Sequence, residues 1–79
     1  MDNLTSYAHC YATASVKLMD AIANPTQAAF EVALKWAVRA KASSYQVKGL
    51  GSRLGDEFDL ANRLTEAVFA AALYNGYRI

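Results

Sequence analysis

Asp20-Ala21-Ile22-Ala23-Asn24-Pro25-Thr26-Gln27-Ala28-Ala29-Phe30 is the stretch whose reading decides the fold. Proline disfavours the α conformation in the residue before it, so a helix arriving from the N-terminal side ends at Asn24. The same residues read as the start of a second helix. Asn24 can serve as N-cap, Pro25 suits the first helical position because its missing N–H costs nothing there, and Gln27 can reach back as in a capping box. A tight corner between two antiparallel helices follows.

Upstream of the corner, Leu4, Tyr7, Ala8, Tyr11, Leu18 and Ile22 fall in one stripe at 100° per residue, opposite Ser6, His9, Thr13, Lys17 and Asp20. This predicts an amphipathic helix over 4–23, capped by Asn3 or Thr5. Downstream, a helix over 25–45 carries Phe30, Ala33, Leu34, Ala37, Val38 and Tyr45 on one apolar face, which Ala29, Val32, Trp36 and Ala40 widen past half the circumference. Glu31, Lys35, Arg39 and Ala28 are left for solvent. An arc that broad belongs to a central helix, or to one serving both a core and an interface.

The segment Gly49-Leu50-Gly51-Ser52-Arg53-Leu54-Gly55 holds three of the four glycines and interrupts the helical period. It is expected to be the main loop, with a short fourth helical turn at 47–54 left open. A third helix is predicted over 56–75, capped by Asp56 or Ser52, with an acidic first turn as the helix dipole favours. Leu60, Leu64, Ala67, Val68, Ala71 and Tyr74 form its core stripe, while Phe58, Phe69 and Leu73 project from the far side. Asn75-Gly76 supplies the C-cap and Tyr77-Arg78-Ile79 a short tail. The fold class is therefore all-α, one domain spanning 1–79, with no repeat and no strand pattern.

Composition limits the chemistry. With 79 residues, one cysteine, one histidine and 54% hydrophobic side chains, the chain has no internal disulfide and no thiolate or imidazole set for zinc. A domain of this size buries only about 60–65% of the surface its unfolded chain exposes. Without staples, such a domain commonly gains further burial from a second copy or a partner. The net charge is +1, yet Lys35, Arg39, Lys41, Lys48 and Arg53 fall in a stretch free of acids, followed by Asp56, Glu57, Asp59 and Glu66 against Arg63. No secretory signal or membrane-spanning run is legible, and the single cysteine suits a reducing cytoplasm.

Candidate catalytic groups do not assemble. His9 and Cys10 are neighbours, and on a helix neighbours diverge by about 100°, so they do not form a nucleophile–base pair. His9 is expected in solvent and Cys10 as a small buried hydrophobe. The acids of 56–66 lack the alternating spacing of a calcium loop. The glycine-rich stretch has no preceding strand and no Lys-Ser/Thr after it, which a phosphate-binding fingerprint requires. No enzyme, metal or cofactor is expected.

Two resemblances are present. Leu50-Gly51-Ser52-Arg53-Leu54-Gly55 followed by Leu60–Leu64 resembles a helix-turn-helix, with Gly51 at the small position, Gly55 at the turn and Arg63 near the exposed face. That resemblance implies a DNA-binding regulator using residues 50–66. Asp56 stands where the pattern has an apolar residue, and Asp56, Glu57 and Asp59 would repel phosphates. Separately, Phe30-Glu31-Val32-Ala33-Leu34-Lys35-Trp36-Ala37 resembles the Leu-Glu-Glu-Ala-Val-x-Trp-Ala segment of small phage proteins that sequester cyclic oligonucleotide signals. Over those eight residues the likeness implies a nucleotide-sequestering oligomer.

The surplus of aromatic and apolar residues points elsewhere. Five tyrosines, Trp36, Phe58 and Phe69 exceed what one small three-helix core readily encloses, and aromatics anchor interfaces. The plain alternative is that they complete the monomer core. The sequence thus predicts a non-enzymatic protein-binding module, a homodimer, that inhibits or regulates by occupying a partner's surface. Small chains without motifs are commonly inhibitors carried by phages or mobile elements, the anti-CRISPR type among them. Val32, Trp36, Phe58, Phe69, Leu73 and Tyr74 are the expected apolar contacts. Lys35, Arg39, Lys41, Lys48 and Arg53 are expected to meet an acidic protein surface or compete for a nucleic-acid channel.

Overall fold

The structure, a computed structural model, describes residues 3–47 and 54–79. Three α-helices of equal length, α1 (Asn3–Ala23), α2 (Gln27–Val47) and α3 (Leu54–Tyr74), make an all-α bundle with principal extents of 40 × 21 × 15 Å. A fourth turn between α2 and α3 would lie at 48–53, outside the described residues, while Val47 and Leu54 belong to α2 and α3.

Three layers of buried side chains set the register. Tyr7 and Cys10 of α1 meet Ala40 and Ala61; Ala14 meets Ala33, Ala37, Leu64 and Val68; Ala21 meets Phe30 and Ala72. As numbers rise along α1 and α3 they fall along α2, so α2 runs antiparallel to both. It packs extensively on α1 and on α3, whereas α1 and α3 touch little.

The core is built from small residues. Ala14, Ala21, Ala33, Ala37, Ala40, Ala61 and Ala72 are all fully buried, and the largest fully buried side chains are Phe30, Val68 and Ser44. Small side chains let the helix backbones approach closely, so the buried area per residue is modest while the packing is unforgiving. The buried hydroxyls are satisfied within their own helices: Ser44 donates to the carbonyl of Lys41, and Thr65 to that of Ala61 at 2.9 Å.

The helical periodicities were legible but their phase shifts. On α1 the core line is Tyr7, Cys10, Ala14 and Ala21, while Ala8 and Ile22 of the expected stripe face solvent. On α2, Val38 and Tyr45 are 48% and 60% exposed and Ala40 is buried. On α3, Leu60, Ala67 and Tyr74 are exposed, and Ala61, Thr65 and Ala72 take the interior. The common cause is close packing, which selects the smallest side chains for the contact line rather than the most hydrophobic.

The corner also differs in detail. Helix α2 begins two residues later than its proline suggested: Thr26 is the cap, its Oγ1 accepting from the backbone N–H of Ala29 at 3.0 Å. Asn24 instead closes α1, donating from its N–H to the carbonyl of Asp20 at 2.9 Å. Pro25 sits between the two helices. At the other end, Gly76 has φ 85°, the N–H of Gly76 donates to Leu73 and that of Tyr77 to Ala72, forming a Schellman motif. Asp56 lies within the first turn of α3 rather than at its cap; Ser52, the other cap candidate, lies outside the described residues.

The tail is a structural element. Tyr77 Oη donates to the carbonyl of Pro25 at 3.1 Å, and Gln27 Nε2 donates to the carbonyl of Arg78 at 2.6 Å. Tyr77 packs 5.7 Å from Phe30 between ring centroids, and Ile79 joins the middle and lower core layers. These contacts tie the C-terminus back onto the α1–α2 corner, giving α3 a second attachment beside its helix–helix seam.

Candidate interaction surfaces

Large apolar side chains are distributed in the opposite sense to the core. Val16, Met19, Ile22, Val32, Val38, Tyr45, Leu60, Phe69, Leu73 and Tyr74 are all exposed. Singly exposed hydrophobes are ordinary, but contiguous ones mark interaction surfaces. The six expected apolar contact residues separate into four places on the bundle, with Tyr74 standing apart from the other three groups.

The first is a cleft at the end of α3. Phe69 and Leu73 stand one turn apart on the same flank, 45% and 69% exposed. With Tyr77, Arg78 and Ile79 of the folded-back tail they line an open cleft of about 390 Å³. The Schellman turn at Gly76 reverses the chain so that the tail runs alongside this flank. The result is an apolar floor with one guanidinium at its margin, suited to an apolar side chain adjacent to a carboxylate. Arg78 and Tyr77 were read in the sequence only as tail; the Asn-Gly helix stop was the signal that the chain folds back there.

The second is the edge of α2 facing away from α3. Trp36 is half-buried, with the His9 ring edge-on at 5.8 Å and the Arg39 guanidinium 4.8 Å from the ring centroid. Arg39 and Lys35 are exposed one turn apart, and Val32 continues the line toward a shallow hollow of about 280 Å³ shared with Lys17, Asp20, Ala28 and Ala29. His9 is in solvent as expected, and Cys10 is buried and unpaired.

The third lies at the opposite end of the bundle. Phe58 is half-buried against Tyr45, with centroids 5.2 Å apart, and the Lys41 ammonium sits 5.4 Å from the Phe58 centroid. Lys41 is thus held away from Lys35 and Arg39, on the other edge of α2, and the five basic residues do not form one patch in the described part: Lys48 and Arg53 lie outside the described residues. Tyr74 is 90% exposed and stands on the flank of α3 opposite Phe69 and Leu73.

Polar chemistry is sparse. Tyr7 Oη donates to the carbonyl of Glu57 at 3.0 Å, joining α1 to α3. Its pKa is pushed up to about 12, chiefly by burial, with the negative charges of Tyr11 and Glu57 adding to the effect. A phenol so placed keeps its proton and acts as a structural donor. Among the described residues no group of three or more His, Cys, Asp or Glu side chains gathers to hold a metal ion, and no helix is long and apolar enough to cross a membrane.

The helix-turn-helix reading loses its turn. Gly55, assigned to that turn, is helical and lies in the first turn of α3, which runs unbroken from Leu54 to Tyr74. Arg63 is exposed beside Asp56 and Asp59, with which it lines a hollow of about 260 Å³. No protein-family model matches this sequence, and no curated protein or solved structure matches it either.

Proposed function

We propose that this protein is a non-enzymatic binding module, a homodimer that regulates or inhibits another protein by occupying part of its surface. The observation that carries the reading is the inversion of side-chain size between core and surface: alanines fill the interior while Phe69 and Leu73, with the folded-back tail, present an apolar cleft to solvent. A partner that inserts an apolar side chain beside an acidic group fits that cleft, with Arg78 meeting the carboxylate. Lys35 and Arg39, flanking Trp36 on α2, form a separate basic edge that supports electrostatic steering toward an acidic partner.

Affinity capture from cells that express the tagged protein tests the reading, with the parent chain compared against a Phe69→Ser/Leu73→Ser double variant. A protein held by the parent and lost by the variant is the expected result. Equal retention by both places the contact elsewhere and overturns the cleft. Salt-sensitive retention of nucleic acid, with no captured protein, overturns the binding-module reading altogether.

A further inference from the structure

The outward flank of α1 is a continuous uncharged strip. Ala8, Ala12, Val16, Met19 and Ile22 lie within an arc of about 120°, all exposed, on the side of the helix away from the Cys10, Ala14 and Ala21 seam. No ionisable side chain falls in this arc over about 22 Å of helix. Size is graded along it, from alanines at the N-terminal end to Met19 and Ile22, 69% and 53% exposed, at the other.

We propose that this flank is where two copies of the chain meet, with their α1 helices antiparallel about a two-fold axis near Val16. The inference rests on the homodimer in the reading above and assigns it a face. The antiparallel arrangement sets Met19 and Ile22 of each copy over Ala8 and Ala12 of the other, so large side chains enter the spaces above small ones. A parallel arrangement would place Met19 against Met19 and leave the alanine ends apart.

Charge selects the same arrangement. His9 and Asp20 stand at one rim of the flank, on opposite sides of Val16, seven and four residues from it. Antiparallel packing brings like rims together, so each Asp20 comes to within about a turn of the second copy's His9. Parallel packing would instead turn each Asp20 toward the opposite, uncharged rim of the second copy.

The area required comes from α3. Phe58 leans on Tyr45 of α2, and Glu57 receives the Tyr7 hydrogen bond from α1, so the flank of α3 bearing Leu60, Ala67 and Tyr74 is the one that borders α1. Leu60 and Tyr74 are 46% and 90% exposed. Two strips of about 10 Å by 22 Å on each copy total on the order of 1,000 Å², the lower bound for a specific dimer. The product is a four-helix layer of α1 and α3 from each copy. It leaves Phe69, Leu73 and the tail cleft free for another partner.

Sedimentation and light scattering over a concentration series, with Val16→Glu as the variant, test the proposal. The parent is expected as a dimer, and the variant, which opposes two carboxylates at the axis, is expected to weaken dimerisation about a hundredfold while keeping its helical circular dichroism. In a Cys10→Ala background, Val16→Cys is expected to cross-link between copies and Ala8→Cys is not, since antiparallel packing holds the two Ala8 positions about 22 Å apart. A monomeric parent at high concentration overturns the proposal. So does a Val16→Glu protein that dimerises as well as the parent, or Ala8→Cys cross-linking as readily as Val16→Cys. Partner capture by Val16→Glu separates the two readings: a monomer that still holds its partner through Phe69 and Leu73 removes the dimer and leaves the cleft.

Discussion

The seam between α1 and α2 and the outer flank of α3 use hydrophobic side chains to different ends. At the seam, Ala14, Ala21, Ala33, Ala37 and Ala40 are fully buried, and the gain comes from how closely two backbones approach. On the flank, Phe69 and Leu73 are 45% and 69% exposed, and a large share of their surface remains in water. The difference teaches that hydrophobic content and burial are separate quantities here. Residue size, more than hydrophobicity, sorts positions between interior and surface.

The comparison can be broken most directly at its extremes. Among the described residues Phe30 is the only fully buried aromatic, closing the layer formed with Ala21 and Ala72, and Phe30→Ala is expected to cost about 3–5 kcal/mol in a urea unfolding curve. A loss below about 1 kcal/mol would show that the layer collapses onto the space and that the packing is not close. Enlarging the seam sharpens the point. Ala37→Leu adds hydrophobicity at a position of 0% exposure yet is expected to destabilise by about 1–3 kcal/mol through overpacking. Stabilisation by this change would refute the role assigned to small residues.

Smaller effects belong to the ends of the seam. Thr26→Ala removes the oxygen that caps α2 and should cost about 1 kcal/mol, whereas Asn24→Ala should cost less. The reverse order would return the cap to Asn24. At the opposite end, the proton of Tyr7 is held in the folded state up to about pH 12, above the ordinary value of 10.0. A raised folded pKa means that this contribution to stability is complete below pH 10 and is lost as pH rises toward 12. Alkaline unfolding followed by circular dichroism should therefore show a decline over that interval that Tyr7→Phe reduces. The smallest effect is expected on the flank: Leu73→Ser should change stability by no more than about 0.5 kcal/mol while weakening partner capture. A large loss of stability there would mean that the flank is part of the monomer's core.

Much of the architecture was legible before any coordinates. Asn24-Pro25 marked the corner, Asn75-Gly76 the end of α3, and the 3.6-residue period gave three helices with bounds within two residues of those observed. Cys10 and His9 fell as expected, one buried and one in solvent. The phase of each helix was the weaker reading. Ile22, Leu60, Tyr45 and Tyr74 were expected inside because large apolar residues normally lead the core stripe, and alanine carries little weight in such a stripe. The cleft was half legible: Phe69 and Leu73 were singled out, but Tyr77 and Arg78 were not, because the Asn75-Gly76 stop shows that the chain turns there and not that the tail reaches Gln27 and Pro25.

Local physics explains the division. Proline geometry, glycine at positive φ and helical periodicity act within a few residues, so the sequence alone determined three helices and the places where they stop. Which face of each helix turns inward depends on the distance between helix axes, and that distance is set jointly by α1, α2 and α3. Only the tertiary structure decided that the interior belongs to alanine, that the tail locks the corner, and that the large hydrophobes of α1 and α3 are left facing water.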